Sequence, residues 1–312
     1  MANRRALVKR RKAVRNIRKI TRTMQMIATA RFQAALHRAI ATRPFTDKLA
    51  EMVGDLSRVA EDFRHPLMES HGESGRTALI VLTSNRGLCG GYNANVVRAA
   101  LAHRERQRKQ SHKVAITMVG QKGISNLNFR GVPMEETINT IDDQPHFEQV
   151  EPIAESLMDR FLDGEVEAVH VAYMRFHSAG HQAPEVFQLL PLSRGAPAQG
   201  APSQGAPADG ETGAGEGDGD AKALGPSAAY EIRPSAAELL DKLLPMTARM
   251  RLFQSFNDAA VSEQIARMAA MKAATEAADD MIQSLTQKYN RARQTAITME
   301  LLDIVGGANA LG

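Results

Sequence analysis

The sequence predicts an α/β head with a mainly parallel sheet, carried on a long antiparallel two-helix coiled coil formed by the N- and C-terminal helices. Three observations predict it. Toward the C-terminus, Met268, Met271, Thr275, Ala278, Ile282, Leu285, Tyr289, Ala292, Ala296 and Met299 keep an unbroken alternation of three- and four-residue steps. Toward the N-terminus, Ile17, Ile20, Met24 and Ile27 repeat those steps. Between the two ends, short apolar runs alternate with helical stretches, the pattern of strands joined by crossover helices.

The C-terminal alternation averages 3.5 residues, which keeps one narrow stripe of a helix facing one partner and imposes a left-handed supercoil. From Met246 to Val305 there is no Gly and no Pro to interrupt it, and a continuous helix of that span is about 90 Å long. A compact domain of this size has no room for it. The stripe is thin, with Ala and Thr where a self-standing zipper has Leu or Ile, so it buries little area and adheres weakly to itself at roughly 25 cal/mol per Å². The plainer alternative is an ordinary packed helix in a bundle. The expected seam comprises Ile282, Leu285 and Tyr289 facing Ile20 and Ile27, with Ala28, Ala34 and Ala35 continuing the small-residue face of the first helix.

That first helix is strongly basic: thirteen Arg or Lys precede the first acid, Asp47. It needs an acidic partner. Nucleic acid is disfavoured, because the basic stretch has no zinc-ligand pattern and its one early aromatic, Phe32, offers no stacking platform. A transit peptide is disfavoured too, since such leaders are Ser-rich and the first Ser here is Ser57. An acidic protein surface surrounding the rod remains, and it would supply the missing support.

The expected organisation is an N-terminal helix over 1–60, a head over 75–193, a Gly/Ala/Pro-rich acidic insert over 194–226, and a C-terminal segment with the long helix over 227–312. Within the head, Thr77–Thr83 reads as a buried strand followed by a glycine-rich turn and a helix over about 95–110. A second strand covers His112–Val119, Gly120 opens a short helix ending near Gly131, and a further helix covers Glu148–Asp163. Strands over Val166–Phe176 and Glu185–Leu190 complete a Rossmann-like layer. The insert lacks the apolar residues that offset ordering entropy, so it is expected as a disordered surface loop. Its acidic half, from Asp209 to Asp220, is either a brake folded over the basic rod or an inert tether.

The chemistry-bearing patterns are weak. The turn Arg86-Gly87-Leu88-Cys89-Gly90-Gly91 lacks G-x-G-x-x-G, and no Lys-Ser/Thr follows its glycines as in a phosphate-binding P-loop. It reads as a tight strand-to-helix turn. Cys89 is the single cysteine; with no His near it in sequence it reads as a small packed residue, and no intramolecular disulfide is possible. The nine His are scattered without metal-ligand spacing, and Asp279-Asp280 reads as a solvated helix face. No catalytic residue, cofactor or metal is expected. With 4% aromatic residues and no Trp, the composition suits Ala- and Met-rich helices. No run approaches 18 apolar residues, so no membrane span is expected.

Taken together, Asn16-Ile17-Arg18-Lys19-Ile20-Thr21 with Met24 and Met26, Ser84-Asn85-Arg86-Gly87-Leu88-Cys89-Gly90-Gly91-Tyr92-Asn93, and the C-terminal blocks Ser262-Glu263-Gln264, Ala266-Arg267-Met268, Tyr289-Asn290-Arg291-Ala292-Arg293-Gln294, Ile297-Thr298-Met299-Glu300-Leu301 and Ile304-Val305-Gly306-Gly307-Ala308 resemble the gamma-subunit family of the F-type ATP synthases. The resemblance covers the whole chain except the insert. It implies a non-catalytic rotor shaft whose coiled coil enters a hexamer of alpha and beta subunits, while the head meets the epsilon subunit and the c-ring on the cytoplasmic face of a bacterial inner membrane. It further implies that Met24, Arg267, Arg293, Gln294, Thr298 and Glu300 face the hexamer and that Ile304 and Val305 turn in its bearing. Glu231, in Tyr230-Glu231-Ile232-Arg233-Pro234, falls in the segment near the c-ring. Asn85, Ile17 and Ala277 depart from the commoner Asp, Thr and Asn of that family, which puts their polar contacts in doubt. The insert stands where chloroplast relatives carry a cysteine pair; having no Cys, it excludes thiol control of that kind.

Overall fold

A computed structural model describes residues 2–59, 64–69, 74–192 and 235–309. The insert, Glu231 and the start of the expected 227–312 segment lie outside the described residues.

Helix α1, Ala2–Val59, and helix α5, Ala236–Asn309, run antiparallel along each other. Arg11 lies over the ring of Tyr289 at 5.0 Å, Arg18 pairs with Asp279 at 2.5 Å, and Thr21 bonds Thr275 at 2.8 Å. Those contacts fix the register. At 1.5 Å per residue α5 is about 110 Å long and α1 about 90 Å. Helix α5 begins ten residues earlier than the sequence predicts and continues through Pro245. That residue gives up one backbone donor, and the adjacent Leu244 and Ala248, at 1% and 0% exposure, hold the helix in place through the head's core.

The head sheet has the order β3-β2-β1-β4-β5. Strands β1 (Arg76–Leu82), β2 (Lys113–Val119), β3 (Glu136–Ile138) and β4 (Ala168–Ser178) are parallel, and β5 (His181–Leu190) pairs antiparallel with β4. The run Thr77-Ala-Leu-Ile-Val-Leu82 is almost wholly buried because helices cover both faces. On one face lie α2 (Tyr92–Lys109) and α3 (Gln121–Phe129), packed through Val96, Val97, Ala100 and Leu127. On the other lie α4 (Phe147–Leu162), the first third of α5 and the last third of α1, through Phe161, Leu240, Phe253 and Leu49.

Two elements depart from expectation. Strand β3 is only three residues long and carries no apolar run to announce it. Strand β5 starts four residues earlier than predicted, because the hairpin turns within 178–181 and Pro184 sits on the sheet's free edge, where its missing donor is tolerated. Gly120 is fixed by close approach: at φ 96° a Cβ would lie 2.1 Å from the Thr83 carbonyl oxygen.

Candidate functional site

The rod presents two different surfaces, and the sequence misplaces one of them. On α1 the residues turned toward α5 are Leu7, Val14, Thr21, Ala28, Ala35, Thr42, Leu49 and Leu56, one every seven, all buried or half-buried. The expected seam residues Ile20 and Ile27 are 56% and 49% exposed, and Ile17 is 52% exposed. This corrects the predicted register by one residue, about 100° around the helix. The reason is steric. The facing stripe of α5 is built on Met271, Thr275, Ala278 and Leu285, and a close approach of backbones takes Ala28 and Ala35 rather than isoleucines.

On α5 the seam is as thin as its sequence suggests. Leu285 and Ala278, at 7% and 6% exposure, form with Val14 a small cluster against which Leu7 and Ile282 pack; Tyr289 is half-buried under Arg11. Past Ala296 no helix faces α5 among the described residues. Met299, Leu301, Leu302, Ile304 and Val305 are all between 56% and 68% exposed, an apolar tip without a partner among the described residues. Arg293, Gln294, Thr298 and Glu300 are likewise exposed on α5, and Met24 is 37% exposed on α1.

Arg267 is held against the head. Rather than facing outward, its side chain is 12% exposed and pairs with Glu263 one turn earlier at 2.5 Å. Its guanidinium also donates to the carbonyl oxygens of Gly87 and Arg86, each at 3.3 Å. Burial pushes the Glu263 carboxyl up, against the opposing pull of Arg267. The glycine-rich turn therefore offers carbonyl oxygens to an arginine, the reverse of a phosphate cradle, which offers amides. Leu88 and Gly90 reach this turn with φ of 65° and 56°.

Other clasps join head and rod through pairings that sequence motifs do not reveal. Asp143, in the loop before α4, takes Arg31 of α1 and Gln264 of α5 together, the latter at 3.2 Å. The Tyr92 hydroxyl donates to the Ala259 carbonyl at 3.2 Å, and Ser262 donates to the Met174 carbonyl at 3.1 Å. The crevice at the C-terminal ends of the strands, where open α/β sheets usually bind ligands, is thus filled by α5. Asn85 gains two contacts that Asp would lack, its amide donating to the carbonyls of Asn139 and Ile141 at 3.2 and 2.8 Å, and its oxygen accepts from the Gln121 backbone N–H at 3.0 Å, as an Asp oxygen would.

Cys89 is 2% exposed beside Ser84 and Asn93. Among the described residues, no group of three or more His, Cys, Asp or Glu is placed to hold a metal ion, and no helix is long and apolar enough to cross a membrane.

The family model described as ATP synthase matches residues 3–311. The chain is 42% identical over 311 residues to the ATP synthase gamma chain of Rhodopirellula baltica, covering 100% of this chain and 99% of that one. It is 34% identical over 311 residues to the ATP synthase gamma chain of Leptospira biflexa, covering all of both. Among solved structures, the fold is similar to chains of the Euglena gracilis mitochondrial ATP synthase. One, from its rotor, gives a TM-score of 0.59 at 17% identity over 95% of this chain and 99% of that one. Another, from its OSCP/F1/c-ring assembly, gives 0.61 at 15% identity over 99% and 95%.

Proposed function

Because this chain belongs to the ATP synthase gamma-chain family, we propose that it is the rotating central stalk of a proton-translocating F-type ATP synthase and performs no chemistry itself. The observation that carries this reading is a rod whose large apolar residues, Ile17, Ile20, Ile27, Ile304 and Val305, face neither its partner helix nor the head. Exposed apolar surface at this length marks a surface made for a surrounding partner. The acid-free run of basic residues on α1 fits an acidic lining to that partner.

In this reading an alpha/beta hexamer encloses the rod. Met24, Arg293, Gln294, Thr298 and Glu300 meet the hexamer's moving elements, and Ile304 and Val305 turn in its bearing. The head and the segment holding Glu231 face the epsilon subunit and the c-ring, on the cytoplasmic side of a bacterial inner membrane. The shaft is asymmetric in cross-section, so each angle stabilises a different set of open and closed beta subunits. Work is transmitted only through such differential contact energies. The clasps of Arg267, Asp143 and Tyr92 keep head and rod turning as one body.

Purification of the tagged chain from its own cell's membranes tests the assignment. Stoichiometric alpha, beta and epsilon subunits with nucleotide-hydrolysing activity are expected. A chain recovered without them, and binding duplex DNA with steep salt dependence, would overturn it.

A further inference from the structure

At the neck, where α1, α5, β4 and β5 meet, one carboxyl group is buried without an ion-pair partner among the described residues. Asp258 is 4% exposed. Its Oδ1 accepts a hydrogen bond from Gln254 Nε2 at 2.9 Å, and Gln254 Oε1 lies 3.2 Å from the Thr42 hydroxyl of α1. Arg43 of α1 and Arg175 of β4 act on the carboxyl through space, yet neither reaches ion-pair distance of it. Arg175 is already committed to Glu185 of β5, at 2.9 and 3.2 Å. The buried Tyr173 completes the group from β4. A small cavity opens alongside, lined by Arg43, Asp47, Thr247, Arg251, Gln254 and Asp258. It gives water, and with it protons, a route to a side chain that is otherwise enclosed.

We propose that Asp258 is a proton-binding site that fastens the rod to the head as the surroundings acidify. A buried carboxylate with one neutral donor is poorly compensated for its lost hydration, whereas the protonated acid loses little on burial and keeps Gln254 as a neighbour. Burial pushes the carboxyl up to about 6, against the opposing pull of Arg43 and the Gln254 hydrogen bond. The closed neck thus binds the proton more tightly than an opened, hydrated neck, whose carboxyl titrates near its ordinary value. Closure gains as pH falls through about 6 and loses that gain as pH rises. Between pH 7.5 and 5 the ratio of closed to open shifts by about tenfold.

Hydrogen exchange of the full-length chain, corrected for the intrinsic rate, reads this directly at the amides of 38–50 and 250–262. The expected result is an opening constant about tenfold smaller at pH 5 than at pH 7.5, and no such change in Asp258→Asn. Infrared difference spectra of the wild-type chain supply a second readout. A carbonyl band of a buried protonated carboxyl should grow between pH 7.5 and 5, shift on 13C-aspartate labelling and be missing from Asp258→Asn. Gln254→Leu removes the hydrogen bond that favours the ionised form, so it should move the midpoint of that band upward. Identical exchange profiles in wild type and Asp258→Asn, no such band in the wild type, or an unmoved midpoint in Gln254→Leu would overturn the proposal. These measurements use the isolated chain, so their outcome is separate from that of the assembly reading.

Discussion

Replacing Leu285 with Asp probes how the outer half of the rod is held. Leu285 is 7% exposed and shares its cluster with Val14 and Ala278, with Leu7 and Ile282 packed alongside. Truncating a buried Leu costs about 2–5 kcal/mol, and a carboxylate left against that stripe adds a desolvation penalty unless it swings into water. Taking the low end, the outer pair loses about 3 kcal/mol. That is a roughly 100-fold rise in opening, at tenfold per 1.4 kcal/mol. Hydrogen exchange in 2–25 and 275–298 of the isolated chain should therefore lose protection, and membranes carrying the variant should assemble little active complex. Asp279→Ala is the control on the same helix. Its ion pair with Arg18 is short, but the side chains are 40% and 48% exposed, so it contributes at most about 1 kcal/mol. Ile20→Asp is the control for register: being 56% exposed, it should leave exchange in the isolated chain unchanged. Equal protection and equal ATP synthesis in Leu285→Asp and Asp279→Ala would refute the seam.

Three further outcomes are expected. Arg267→Ala strands the buried Glu263 carboxyl and two turn carbonyls, costing about 3–5 kcal/mol, whereas Arg267→Ala with Glu263→Gln should recover much of that in thermal unfolding. His170, 9% exposed on β4 with its ring 4.4 Å from that of His103, is pushed down to about 4 by burial and by its neighbour's charge. Its folded value lies below the ordinary 6.5, so its contribution is whole above that pH and is lost as pH falls toward 4, by about 3 kcal/mol. Exchange at α2 should thus rise on acidification in the wild type and rise less in His170→Phe, where His103, itself pushed down by burial, is left to titrate, opposite in sign to the neck. Deletion of 197–222 should raise ATP hydrolysis if the insert is a brake; unchanged hydrolysis and synthesis would make it a passive tether.

Much of the head was legible because its signals are local. A run such as Thr77–Leu82 is apolar without interruption only when both faces of a strand are covered, and turn residues bracket it. Strand β3 escaped because three residues cannot show a period, and the early start of β5 because Pro184 argues against a strand unless the edge is free. The rod was legible in period but not in phase. A three-four spacing of Ile17, Ile20, Met24 and Ile27 is real, yet spacing says only that these residues share a face, not which partner that face meets. Asp143 was illegible altogether, and Tyr92 and Ser262, though inside recognisable motifs, gave no sign of the carbonyls they bond, since those lie far away in the chain.

What the sequence determined alone was the existence of two long helices, the alternating head between them, and the family, since each follows from short-range pattern or from motifs read in order. Tertiary structure decided which stripe of α1 faces α5, that Arg267 is spent inside the head, and that Asp258 is enclosed. Those outcomes depend on how closely two backbones can approach and on what lies across the contact. A small residue that permits close packing outcompetes a larger apolar one that the helix can turn toward an outside partner.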